Sequence, residues 1–276
     1  MKNFVIISFL AFLMIFTAFF LFSVDSDNVP VISVDPIKKY PHDKKAFTQG
    51  FEFHKGTFFE GTGLRGASNL REVDIFTGTV LRSRQLPPEF FGEGISIING
   101  KIYQLTWKSG KAFQYDLETF ELIREFGING EGWGLTNDGN NLIMSNGTDK
   151  IVFLDPRSFK DVRTLSATKN GKPQNLLNEL EFIKGDIWAN VWKTDDILRI
   201  NSKTGQVKSV LDLSNISERK HVDDVANGIA WDKENDIVYV TGKLWSNVYK
   251  LNLNKGKVIN RSLFQTWVNS KKHLLR

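Results

Sequence analysis

The chain has no cysteine, and its 276 residues include only four histidines, three methionines and seven prolines. Without cysteine there is no disulfide framework, thiol nucleophile, iron–sulfur cluster, cysteine zinc site or acylated lipoprotein cysteine. His42, His54, His221 and His273 stand far apart with no ligand-like spacing, which argues against a histidine metal site. Neither sign of charge dominates: 36 Lys and Arg face 31 Asp and Glu, a formal +5 with no polybasic block, so nucleic acid is not an expected partner. Sustained helical periodicity is also missing beyond the first 24 residues. What is present is a 41% hydrophobic, 12% aromatic chain able to bury a real core, whose chemistry must come from carboxylates, amides, lysines and aromatics.

The exception at the N-terminus is the run Phe4–Val24, interrupted only by Ser8, Thr17 and Ser23. As a helix it would span roughly 30 Å, the thickness of a bilayer core. Lys2 precedes it while Asp25 and Asp27 follow, so the positive-inside bias places the remainder on the extracytoplasmic side. The exit, Phe22-Ser23-Val24-Asp25, is a poor signal-peptidase site, which favours an uncleaved anchor over a cleaved signal.

Beyond a polar linker, short alternating runs separated by Gly, Asn and Asp turns predict an all-β chain. Five triplets recur: Gln49-Gly50-Phe51, Glu93-Gly94-Ile95, Trp133-Gly134-Leu135, Asn178-Glu179-Leu180 and Asn227-Gly228-Ile229. Each is followed by a turn and a second strand, as at Asn99-Gly100 before Lys101–Trp107, and then by a further pair of strands, as in Leu70–Ile75 and Thr79–Leu86. Four strands per ~45 residues is the size of a propeller blade, and a β-sandwich has no reason to repeat one four-strand unit five times. The fold class expected is therefore an all-β, five-bladed β-propeller preceded by one N-terminal transmembrane or signal helix. Residues 1–24 are the anchor or signal, 25–39 a linker and ring-closing strand, 40–264 the propeller and 265–276 a tail. The strand-like run Val31–Lys39 would complete the last blade beside Asn247–Leu253 and Val258–Leu263.

In a propeller the innermost strands line a central channel, so the five triplet heads, Gln49, Glu93, Trp133, Asn178 and Asn227, should be neighbours at one mouth. The second strands end on Glu60, Trp107, Asn146, Trp192 and Lys243. Aromatic walls with a few convergent polar groups make a binding site; the same residues are also compatible with blade-to-blade packing. Glu93, between Gly92 and Gly94, should have a raised pKa against indoles, suited to moving protons. Lys243 reads either as its charge partner or as a surface lysine.

Phe47-Thr48-Gln49-Gly50, Phe91-Gly92-Glu93-Gly94, Leu105-Thr106-Trp107-Lys108, Gly132-Trp133-Gly134-Leu135, Asn178-Glu179-Leu180-Glu181, Asn190-Val191-Trp192, Asn227-Gly228-Ile229-Ala230 and Thr241-Gly242-Lys243-Leu244-Trp245 resemble, in order and spacing, the plant and bacterial (papaya-type) glutamine cyclotransferases. The resemblance covers roughly Tyr40 to Leu253. It implies a five-bladed propeller that converts the N-terminal Gln of peptides into pyroglutamate with release of ammonia. It also implies catalytic roles for Glu93, Lys243, Asn178 and Gln49, and substrate binding by Phe47, Trp107, Trp133 and Trp192. No cofactor is implied for catalysis, although a structural calcium ion in the central channel belongs to the family picture. The expected partners are peptides or proteins with N-terminal Gln and, through the N-terminal helix, the membrane; a monomer is expected. Two alternatives are a non-catalytic ligand-binding propeller and a calcium-dependent lactonase-type propeller, the latter weakened by the single acid among the triplet heads.

Overall fold

The computed structural model describes residues 28–259; the apolar run Phe4–Val24 and the tail 265–276 lie outside the described residues. Among the described residues every regular element is a strand. The first is β1 (Val31–Pro41). A four-stranded sheet follows, with β2 (Thr48–His54), β3 (Thr57–Thr62), β4 (Asn69–Asp74) and β5 (Val80–Gln85). A second has β6 (Gly92–Ile98), β7 (Lys101–Thr106), β8 (Lys111–Asp116) and β9 (Leu122–Gly127). The third has β10 (Leu135–Asn137), β11 (Leu142–Ser145), β12 (Lys150–Leu154) and β13 (Asp161–Ser166), followed by a small hairpin of β14 (Thr168–Lys169) and β15 (Lys172–Pro173). The remaining strands are β16 (Leu177–Ile183), β17 (Asp186–Val191), β18 (Asp196–Asn201), β19 (Val207–Asp212), β20 (Ala226–Asp232), β21 (Ile237–Gly242) and β22 (Asn247–Ile259). With β1 they form one eight-stranded sheet in the order β16-β17-β18-β19-β1-β22-β21-β20.

The chain closes on itself through β1, which pairs antiparallel with β22 over most of its length and parallel with β19 at Val31–Ser33. This differs from the sequence expectation in one respect: Asn247–Ile259 is one continuous strand, whose pairing with β1 passes from Asn252 opposite Asp35 to Lys257 opposite Ser33 across a shift of register that leaves residues 253–256 bulged. The first strand of each unit packs against the next, β2 on β6, β6 on β10, β10 on β16, β16 on β20, and β20 returns to β2.

Local chemistry explains the repeated outer hairpins. Asp74 Oδ1 accepts from the N–H groups of Phe76 and Thr77, and Asp116, Asp155 and Asn201 cap the corresponding turns. The core is divided among the faces between adjacent units. One cluster joins Phe59 and Leu70 to Ile95 and Ile102; another joins Leu105 and Phe126 to Leu142 and Met144; a third joins Phe51 and Phe58 to Tyr239 and Val248. Each such side chain contributes about 1.5–3 kcal/mol on burial.

Inner strands of neighbouring units share no hydrogen-bonded ladder, so side chains satisfy their N–H groups. Glu179 Oε1 accepts from Phe51 N at 3.3 Å and its Oε2 from Ile229 N at 2.9 Å. Glu52 Oε2 accepts from Ile97 N at 2.8 Å, and Thr136 Oγ1 from Phe182 N at 3.1 Å. Where no side chain intervenes the backbones touch: a Cβ on Gly94 would lie 2.4 Å from Leu135 N, and Gly94 N bonds Trp133 O at 2.7 Å.

Candidate active site

The starts of the inner strands and the residues that follow the second strands converge on one cavity of about 220 Å³. Gln49 lies at the start of β2, Glu93 at the start of β6, Trp133 just ahead of β10 and Asn178 at the start of β16. Trp107, Trp192 and Lys243 are each the first residue after β7, β17 and β21, and each precedes a residue with positive φ: Lys108 (43°), Lys193 (68°) and Leu244 (61°). That left-handed step turns the chain away from the sheet and leaves the preceding side chain facing the channel. The cavity is lined by Phe47, Gln49, Glu93, Trp107, Trp133, Asn178, Trp192 and Lys243, the eight residues singled out from the sequence, and also by Phe91 and Asp223.

Three side chains expected at the mouth are elsewhere. Glu60 lies within β3, which continues to Thr62; the residue matching Trp107 is Gly63, followed by Leu64 with φ 80°. Gly63 leaves the corner to Phe91, whose ring carbon would lie 2.4 Å from an added Cβ. Asn146 holds the matching position in its unit, but its Oδ1 accepts from Thr148 N and Oγ1, closing a local turn. Asn227 stands behind the wall, donating to Thr48 O at 2.8 Å and to Gln49 Oε1 at 3.1 Å.

That second bond orients Gln49: with its oxygen occupied by Asn227, the amide group donates to Glu93. Glu93 is 3% exposed, and among the described residues its Oε2 has no hydrogen-bond partner. Burial pushes its carboxyl well above the usual range, opposed by Lys243 and by the Gln49 bond, and reinforced by the negative charge of Glu131. Lys243 is equally buried; desolvation pulls its ammonium down to about 8, with Glu93 and Asp223 resisting the fall. Its Nζ lies 4.7 Å from the Phe47 ring centroid.

The walls are aromatic pairs. Trp133 meets Trp192 edge-on at 5.4 Å, Trp107 meets Phe91 at 5.6 Å, and Phe91 meets Phe47 at 6.0 Å. The sides bearing Gln49 and Lys243 are joined by a buried network. His42 bonds Trp245 O at 2.8 Å and Glu60 Oε1 at 3.1 Å, Thr48 Oγ1 donates to the same oxygen at 2.6 Å, and Arg71 donates twice to Glu60 Oε2. Burial alone would raise Glu60, but His42 and Arg71 pull it down to about 2. Leu244 N to Ala46 O at 2.8 Å completes the joint.

Three comparisons bear on this geometry. A family model described as glutamine cyclotransferase matches residues 10–253. A glutaminyl-peptide cyclotransferase of Arabidopsis thaliana is 37% identical over 228 residues, 80% of this chain and 71% of the relative. The chain belongs to the glutamine cyclotransferase family. Within the family, the crystal structure of Myxococcus xanthus glutaminyl cyclase is similar with a TM-score of 0.77 at 32% identity, covering 84% of this chain and all of that one. The fold is accordingly the all-β, propeller-like fold of a glutaminyl cyclase.

The family resemblance implies a calcium ion in the channel of this cyclotransferase, and backbone carbonyl and Asn oxygens, rather than clustered acids, are what would hold it. Among the described residues no three His, Asp or Glu side chains gather as a metal site. The channel acids Glu52, Glu179 and Glu181 face backbone N–H or hydroxyl donors instead. Phe91, Asp223 and Glu131 are not among the site residues expected from sequence; Phe91 sits in the motif Phe91-Gly92-Glu93-Gly94, and Glu131 is signalled by Gly130-Glu131-Gly132, the same glycine-flanked glutamate as Gly92-Glu93-Gly94.

Proposed function

We propose that this chain is a glutaminyl-peptide cyclotransferase, acting on peptides or proteins with N-terminal Gln, and that its units form a five-bladed propeller. The closed ring of inner strands β2, β6, β10, β16 and β20 supports the blade count. The observation that carries the functional reading is a buried carboxylate, one of its oxygens unpartnered, lining a small indole-walled cavity that also holds an amide and an ammonium group.

In the reaction the substrate α-nitrogen bonds to its own side-chain carbonyl carbon, the carbon–nitrogen bond of the carboxamide breaks, and ammonia leaves. The proton lost by the attacking amine is the one the leaving nitrogen gains. Glu93 takes it and returns it, a role typically worth ~10²–10⁴ in rate. Lys243 acts on Glu93 through space, with no ion pair between the two among the described residues. Gln49, Asn178 and Lys243 bond the carboxamide oxygen as it becomes an oxyanion and hold Glu93 in place. Phe47, Trp107, Trp133 and Trp192 fold the Gln side chain back on its amine, the orientation on which ring closure depends. These steps need side chains alone.

The apolar run Phe4–Val24, followed by Asp25 and Asp27, supports membrane anchorage with the enzyme on the extracytoplasmic side. The purified protein, incubated with a Gln-initiated peptide, is expected to shorten it by the mass of one ammonia, and an unchanged peptide mass would overturn the reading in favour of a binding propeller.

A further inference from the structure

We propose that Glu131 is a positioning residue that locks the indole walls of the cavity, one carboxylate oxygen holding the N–H groups of two tryptophans from consecutive units. Trp107 Nε1 donates to Glu131 Oε2 at 2.7 Å and Trp133 Nε1 donates to the same oxygen at 2.9 Å. Trp107 follows β7 and Trp133 precedes β10, so the carboxylate spans the seam between the second and third sheets. Its other oxygen lies 3.7 Å from Lys108 Nζ, and that same ammonium sits 4.3 Å from the Trp107 ring centroid. One acid thus fixes two rings directly and a third through contact, since Trp192 makes its edge-on contact with Trp133 and lacks an acceptor of its own among the described residues.

The backbone around Glu131 is built for this placement. Gly130 has φ +80°, and a Cβ on Gly132 would lie 3.0 Å from both Leu105 and Ile128, so the loop lies flat on the second sheet. Behind Trp133, an added Cβ on Gly147 would come within 2.7 Å of the indole, so that ring rests on bare backbone. With the ring pinned from behind by Gly147 and at its N–H by Glu131, little rotation is left. An indole N–H with no acceptor would turn toward the cavity and offer the substrate a competing donor. A shift of about 1 Å in such walls is enough to cost ~10²-fold in rate.

Glu131 also faces the proton shuttle electrostatically. The charged groups acting on Glu93 are Lys243 and Glu131, with Gln49 in hydrogen bond; those around Glu131 are Lys108 and the two indoles. The negative charge of Glu131 raises the Glu93 carboxyl, so neutralising it lowers the pH at which Glu93 ionises.

The inference rests on the cyclisation reading, and wild-type turnover of a Gln-initiated peptide tests that reading separately. The experiment compares the full chain with Glu131→Ala and Glu131→Gln by near-ultraviolet circular dichroism and by kcat and KM across pH. Glu131→Ala is expected to lose part of the aromatic dichroism and to lower kcat by roughly ten-fold or more, with a smaller rise in KM. Glu131→Gln keeps an acceptor oxygen, so its kcat should fall less than that of Glu131→Ala while the acid limb of kcat/KM moves to lower pH. A Glu131→Ala protein with unchanged dichroism and kcat, or a Glu131→Gln protein that loses as much of both as Glu131→Ala, overturns the proposal. Should Glu131→Ala fail to fold, Glu131→Asp decides: it keeps the charge but shortens the reach to the two indoles, and unchanged dichroism and kcat would overturn the proposal. Without wild-type turnover, the dichroism comparison alone decides whether Glu131 holds the two indoles.

Discussion

Both ends of the central channel bury glutamates, and they deploy them in opposite ways. At the mouth formed by the starts of the inner strands, Glu93 lines an apolar cavity and leaves one oxygen without a hydrogen-bond partner. Deeper in the channel, Glu179 is as buried and its carboxyl is likewise pushed up by desolvation, yet both its oxygens accept backbone N–H groups of other units. Further along, Glu52 and Glu181 border a second cavity of about 400 Å³ and are bonded to Ile97 N and Thr136 Oγ1. Glu60, equally buried, is driven the other way by Arg71 and His42. Burial and a perturbed pKa are therefore common to structural and chemical carboxylates in this fold. Unused hydrogen-bonding capacity facing an accessible cavity is what separates them.

The strongest attempt to break that contrast is Glu93→Gln. It preserves shape and removes the base, so kcat should fall by ~10²–10⁴ while peptide affinity and melting temperature stay near wild type. Steady-state kinetics with a binding assay on the same protein checks this, and a loss below ten-fold would remove Glu93 from the proton path. Glu179→Ala should do the reverse. It orphans the N–H groups of Phe51 and Ile229 and should cost about 2–4 kcal/mol of stability, read by denaturant titration. Its turnover per folded molecule should fall far less than that of Glu93→Gln.

A smaller effect is the pH dependence of stability. Glu52 holds its proton up to about 8 in the fold but releases it near 4.5 when unfolded. Its contribution is thus fully present below 4.5 and lost as pH rises through about 8. His42 acts in the same direction: burial opposes its charge, but Glu60 holds its pKa up, and its contribution fades above that raised value. Glu60 acts oppositely, its contribution present above 4.5 and lost as pH falls through about 2. The melting temperature should accordingly rise by several degrees from pH 8 toward about 5 and fall in stronger acid. A Glu52→Gln protein should lose part of the first slope. The smallest change expected is Lys184→Ala at the far cavity. Lys184 makes an exposed ion pair with Asp236, so stability should move by less than about 0.5 kcal/mol. Turnover should be unchanged, and a lowered kcat would mean that the far mouth takes part in the reaction.

Much of the site is legible in the chain because the repeat carries a phase. Once the five triplets are aligned, Gln49, Glu93, Trp133 and Asn178 fall at equivalent points on inner strands, and Trp107, Trp192 and Lys243 fall one residue beyond second strands. The alignment fails at Glu60 because alternation shows which face a residue takes but not where a strand stops. There the stop is set by the left-handed step at Leu64, a residue without the glycine signal of Gly147. Asn146 and Asn227 occupy correct positions with the wrong side-chain direction, since each finds a nearer hydrogen-bond partner than the cavity offers.

The sequence by itself determined what is local and periodic: alternating strands, Asx-capped outer turns such as Asp74-Phe76-Thr77, glycines where inner backbones touch, and the residue types at each strand start. Only the tertiary structure decided which glutamate is open and which is bonded. Inner strands of adjacent units meet through side chains rather than ladders, so the partners of Glu179 and Gln49 come from distant parts of the chain. Those partners are in place only after β1 joins β22 and the ring closes.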